Sequence, residues 1–160
     1  MKRRAWIAGI GLVAWACLPA GSGMAAEPEQ KDAAANSNQG TELQFKQAAT
    51  KFLQSAQAYL GITTLQWQNF MMSPQTKSVS EISKSNSEYK EKIGQEFAGL
   101  MTISSSEALS SKLKDYYAAW GLAFDSMRPT SADSARSFPA RTNAELQRMD
   151  AMAARIKMDL

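Results

Sequence analysis

A chain of 160 residues with one cysteine and no histidine cannot assemble a zinc site from Cys or His, a Ser-His-Asp triad, a Cys-His dyad, a c-type haem attachment or the Glu-x-x-His pair of a di-iron bundle. The net charge of +3 is no argument for nucleic acid: three of the 18 basic residues, Lys2, Arg3 and Arg4, precede the first acid, Glu27, and the rest of the chain balances 15 against 15.

The first residues read as a targeting segment. A basic start at Lys2, Arg3 and Arg4 leads into an apolar run from Ala5 to Leu18 and then into Gly23-Met24-Ala25-Ala26. Charged start, short apolar run and small residues together predict a signal peptide over 1–26, cleaved after Ala25 or Ala26, and a periplasmic or secreted mature protein. Pro19 and the glycines leave the run too short for a bilayer span. One competing reading is an uncleaved anchor. Another is a bacterial lipoprotein anchor at Cys17, against which stands the bulky Trp15 where a small residue is usual. Cleavage leaves about 134 residues, enough for one domain with a core that needs no staples.

The mature chain opens with EPEQKDAAANSNQG over 27–40, which lacks periodicity and offers little apolar surface, so a flexible leader is expected. Thr41 with Gln44 has the spacing of a capping box. From there Phe45, Ala49, Phe52, Ala56, Tyr59, Leu60, Trp67 and Phe70 stay in helical phase, which predicts one helix of about 45 Å to Met72. Gly61 does not reset the phase, and Ser73-Pro74 stops it.

A second helix is expected from Ser78 to Thr102 on the stripe Ile82, Tyr89, Ile93, Phe97 and Leu100. Asn86 shares that face, and the serine-rich first half should pack loosely. Ser104-x-x-Glu107 reads as the cap of a third helix, whose Leu109, Leu113, Tyr116, Trp120, Phe124 and Met127 form the clearest stripe in the chain before Arg128-Pro129 ends it. After a loop over 130–140, Thr142 and Glu145 suggest a third cap, followed by Leu146, Met149, Ala153, Ile156 and Leu160. No strand pattern competes. The expectation is all-α, an up-down-up-down four-helix bundle over 41–160 with a long first helix and a disordered N-terminal leader.

Several features could carry chemistry. Met71, Met72, Met101, Met127, Met149, Met152 and Met158 invite a Cu(I) reading, but in the last helix their phases diverge, and core filling is the better account. Arg141, Arg148 and Arg155 repeat at heptad spacing, with Glu145 and Asp159 placed to neutralise them along the helix. A carboxylate enzyme acting on cell-wall glycan would draw on Glu88, Glu91, Glu96, Glu107 or Asp115, none of which stands beside a second acid in sequence. The aromatics Trp67, Phe70, Tyr117 and Trp120 could line a pocket for a small apolar ligand.

A different set points outward. Ile62, Leu65 and Met72 fall off the stripe of the first helix, and Leu122 lies opposite Trp120 on the third. One stripe suffices for a four-helix core, so these extra apolar positions ask for another surface. The leading expectation is therefore an exported, non-enzymatic interaction protein. It would be a subunit, adaptor or chaperone-like factor of a cell-envelope complex, contacting a protein partner or a second copy through Ile62, Leu65, Met72 and Leu122, with no metal, cofactor or nucleic acid. The first alternative is the apolar-ligand bundle, and the second is the glycan enzyme.

Overall fold

The computed structural model describes residues 29–75 and 77–160, with side chains from residue 39 onward. The targeting segment, Cys17 and the first two leader residues lie outside the described residues. The described residues form four helices: α1 (Glu29–Met72), α2 (Val79–Thr102), α3 (Glu107–Ser126) and α4 (Ser137–Lys157). Among the described residues there is no strand, and no helix is long and apolar enough to cross a membrane.

Helix α1 runs unbroken through Gly61 and stops where Pro74 requires, but its start corrects the expectation. It begins at Glu29, so residues 29–40 are helical where a flexible leader was anticipated, and Thr41 does not open the helix. Glu29, Gln30, Lys31 and the alanines 33–35 are strong helix formers, and the packed turns downstream supply the nucleus that a free peptide lacks. Helix can then propagate outward from those turns. Residues 39–44 are exposed, and Phe45 is the first buried side chain among the described residues. At 1.5 Å per residue α1 is about 66 Å long, so its first turns extend beyond the core.

The caps show which local rules hold. At α2 the capping box closes in both directions: Glu81 N–H donates to Ser78 Oγ (3.2 Å) and Ser78 N–H to Glu81 Oε2 (2.7 Å). The second bond holds the Glu81 carboxyl below its ordinary range. At α3 the cap is Ser106, whose hydroxyl accepts from Leu109 N–H (3.3 Å); Ser104 instead pairs its hydroxyl with that of Ser110.

Helix α4 starts five residues before the expected Thr142. Ser134 accepts from Ser137 N–H (3.0 Å), Ser137 Oγ accepts from Ser134 N–H (2.8 Å), and Phe138 N–H donates to the Ser134 carbonyl (3.0 Å). Pro139 sits in this first turn, where a missing N–H costs nothing. Thr142 is then an interior residue, fully buried, with its hydroxyl donating to the Phe138 carbonyl (3.0 Å).

All four helices meet in one core. Helix α1 packs against the other three, α3 also packs against α2 and α4, and α2 and α4 do not approach one another. Phe52, Phe97 and Tyr117 join α1, α2 and α3, with the Phe97 and Tyr117 rings stacked at 4.3 Å. Further along, Tyr59 stacks on Tyr89 at 4.6 Å, and Thr63 donates to Asn86 Oδ1 (3.1 Å), which satisfies the polar residue on the apolar face of α2. Trp120 Nε1 donates to the Ala56 carbonyl (2.8 Å), and the Thr64 hydroxyl meets both the Leu60 carbonyl and Met127 Sδ. These bonds are why buried polar groups are tolerable here.

Candidate functional site

The inner stripe of α1, from Phe45 through Ala49, Phe52, Leu53, Ala56 and Leu60 to Trp67, is sealed against α2, α3 and α4. What lies on its back is the candidate site. From Phe52 to Thr76 the sequence contains no charged residue, so this back is uncharged as well. Its exposed positions within α1 are Gln54, Ala58, Ile62, Leu65, Asn69 and Met72, the last five at steps of four, three, four and three. Ile62, Leu65 and Met72 are respectively 40%, 58% and 67% exposed.

That spacing is the a/d repeat of a helix pair. With Ala58 at d, Ile62 falls at a, Leu65 at d, Asn69 at a and Met72 at d. A β-branched residue at a with leucine at d favours two strands, and a single asparagine at a fixes register at some cost in affinity. Depletion of charge is the compositional mark of an interface centre. Sequence reasoning named the three apolar members and missed Ala58 and Asn69; the signal available was the long uncharged stretch.

Leu122 is 73% exposed, as expected, but it does not join this patch. Trp120 bonds to Ala56 and Met127 meets Thr64, so α3 and α1 face each other across the core. Leu122 follows Trp120 by two residues, about 200° round its helix, and Leu65 follows Ala56 by nine, about 180°. The two leucines therefore point away from opposite sides of the bundle. Met72 sits where the back of α1 meets the start of α4, bordering a crevice with Met71, Ala135, Phe138 and Pro139.

The four pocket candidates separate into pairs. Tyr117 stacks on Trp120 at 6.4 Å in the interior, where Phe124 covers the indole at 4.8 Å. Trp67 and Phe70 meet edge to face at 5.9 Å further along α1. Trp67 does line an opening, but a polar one. It is a groove of about 210 Å³ shared with Ser83, Asn86, Ser87 and Lys90 of α2 and with Phe124, Asp125 and Arg128 at the end of α3.

The charged candidates resolve into local pairs. Arg148 binds Glu145 (2.8 Å), whereas Arg141 turns away from Glu145 to bind Asp133 (2.8 Å) and the carbonyls of Ser126 and Arg128, tying the α3–α4 connection to α4. The Arg141 guanidinium, followed by the Thr130 N–H, holds the Asp133 carboxyl down to about 2. Asp159 pairs with Lys112 of α3 (2.8 Å) rather than with Arg155. Met149 is buried, Met152 half-buried and Met158 exposed, in keeping with their phases. Glu88, Glu91, Glu107 and Asp115 are exposed on helix surfaces, and Glu96 is half-buried. Among the described residues no three Asp, Glu, Cys or His side chains gather as a metal site would need.

No protein-family model, no curated protein and no solved structure matches the chain.

Proposed function

We propose that this protein is an exported, non-enzymatic helical-bundle subunit of the cell envelope that works by association, pairing the uncharged back of α1 with the same face of a second copy. The single observation that carries the reading is the exposed seam Ala58, Ile62, Leu65, Asn69 and Met72 at a/d spacing on a face without charge. A self-complementary seam suits a two-fold pair, in which each residue meets its own counterpart. Asn69 then bonds across the axis to the other Asn69, the arrangement that selects register in helix pairs.

The bundle behind the seam is taken as up-down-up-down. Residue pairs between α1 and α2 support the direction of the chain: Phe52 with Phe97, Tyr59 with Tyr89 and Thr63 with Asn86 run in opposite order along the two helices. Phe52 with Tyr116, Ala56 with Trp120 and Thr64 with Met127 run in the same order along α1 and α3. Export follows from the signal-peptide pattern of the first 26 residues.

One face of five residues lies at the small end of specific interfaces, below about 1,200 Å² in total, so the pairing is concentration-dependent. Sedimentation equilibrium over a wide concentration range tests it. The protein sediments as a monomer–dimer equilibrium, and Leu65→Lys, which places like charges across the axis, shifts it to monomer by more than about tenfold in dissociation constant. A parent protein that stays monomeric throughout, or a Leu65→Lys variant that dimerises as the parent does, overturns the reading.

A further inference from the structure

The groove beside Trp67 lies on the other side of that residue's helix from the seam and has chemistry of its own. Its floor is aromatic: Trp67 is 3% exposed and Phe124 4%. The Trp67 indole N–H is buried and finds no acceptor among the described residues. A buried donor left without a partner is uncommon, because it forfeits its bond to water and gains nothing in return. The neighbouring indole of Trp120, by contrast, is fully satisfied by the Ala56 carbonyl.

The walls repeat the imbalance. Arg128 is exposed, and its guanidinium has no partner among the described residues; the same holds for the Ser83 hydroxyl and the amide N–H₂ of Asn86, whose carbonyl oxygen is taken by Thr63. Lys90 lies over the Phe124 ring at 5.8 Å and is held by Asp125, the one carboxylate of the groove. Donors thus outnumber acceptors, and the only anionic group is already engaged. Serines occupy this half of α2 where larger side chains would have closed the space.

We infer that this groove, walled by α1, α2 and α3, is a binding site for a small oxyanion, a phosphate or carboxylate group. The anion is anchored by Arg128 and bonded by Ser83 and Asn86, above the buried and unpartnered indole N–H of Trp67. A guanidinium with free N–H groups matches the paired oxygens of either anion, and such charge-assisted bonds are the strong ones. The inference does not depend on dimerisation, since none of the groove residues belongs to the seam.

The test uses the indole N–H resonances of ¹⁵N-labelled protein, with Trp67 assigned through Trp67→Phe. Inorganic phosphate and acetate are titrated separately at constant ionic strength against chloride. The Trp67 resonance is expected to move saturably with at least one of them, while that of Trp120 stays in place. Saturation with phosphate alone assigns a phosphate group, with acetate alone a carboxylate, and with both an oxyanion site without preference. Arg128→Gln removes an exposed side chain that holds nothing in the fold, and it should weaken binding about tenfold. Arg148→Gln, elsewhere on the surface, should leave binding unchanged. If neither anion moves Trp67 saturably, or if Arg128→Gln binds as the parent does, the site is not there.

Discussion

Between Phe52 and Met72 both faces of α1 are free of charge, yet one is sealed and the other open. The inner face carries Phe52, Leu53, Ala56, Leu60 and Trp67, each interlocked with α2, α3 or α4. The outer carries Ala58, Ile62, Leu65, Asn69 and Met72, all exposed, with Met72 bordering the crevice at the start of α4. A helix bordered by water on one side ordinarily shows charge there, as α2 does with Glu81, Lys84, Glu88 and Glu91. The contrast separates two meanings of an apolar helix face. The first builds the fold, and the second is the face that the proposed pairing uses.

The comparison breaks most visibly under truncation. Trp120→Ala empties the interior opposite Ala56 and also leaves that helix without its indole bond, so urea denaturation should show a loss of about 3–5 kcal/mol. Leu65→Ala removes a side chain of similar hydrophobic character from the outer face and should change monomer stability by no more than about 0.5 kcal/mol. Equal losses would mean that the back of α1 is part of the core.

A smaller effect sharpens the inner side. Tyr116 is fully buried, and its hydroxyl has no partner among the described residues. Burial, reinforced by Asp150, pushes its ionisation well above the ordinary phenol range. Tyr116→Phe deletes the unsatisfied hydroxyl while keeping the ring beside Phe52, and the same denaturation should show a gain of about 1 kcal/mol.

The smallest effect lies at the Arg141–Asp133 latch. Asp133 titrates lower in the folded chain than in the unfolded one, so its contribution is present above about pH 4 and lost as the pH falls through about 2. Thermal midpoints of Asp133→Asn should fall below the parent's near neutral pH and converge with them across that acid window. A difference that persists at the acid end would assign the effect to packing instead of to the Arg141 ion pair.

Much of the fold was legible. The stripe of α3, the stops at Pro74 and Pro129 and the continuity of α1 through Gly61 all rest on rules that act within one helix, and the structure keeps them. The starts were harder. Residues 29–40 have no periodicity but high helical propensity, and Pro139 reads as a breaker although it occupies a first turn that tolerates it. The candidate site was half legible for the same reason. Phase within α1 identifies Ile62, Leu65 and Met72 as outward, whereas joining them to Leu122 required knowing that α3 faces α1 across the core. Arg141 shows the limit again: its partner Asp133 lies in a loop, where helical spacing carries no information.

The central claim is that α1 meets a second α1 back to back, residue to like residue. Oxidative cross-linking tests it most directly, since Cys17 is the chain's one cysteine and Cys17→Ser leaves no native thiol whether or not the first 26 residues are cleaved. In that background Leu65→Cys brings two thiols together across the two-fold axis, within the short Cα separation a disulfide needs. Leu122→Cys, more exposed but on the opposite side of the bundle, does not. The account predicts a disulfide dimer for Leu65→Cys under mild oxidation and monomer for Leu122→Cys. Monomer for Leu65→Cys, or equal dimer from both, would contradict it.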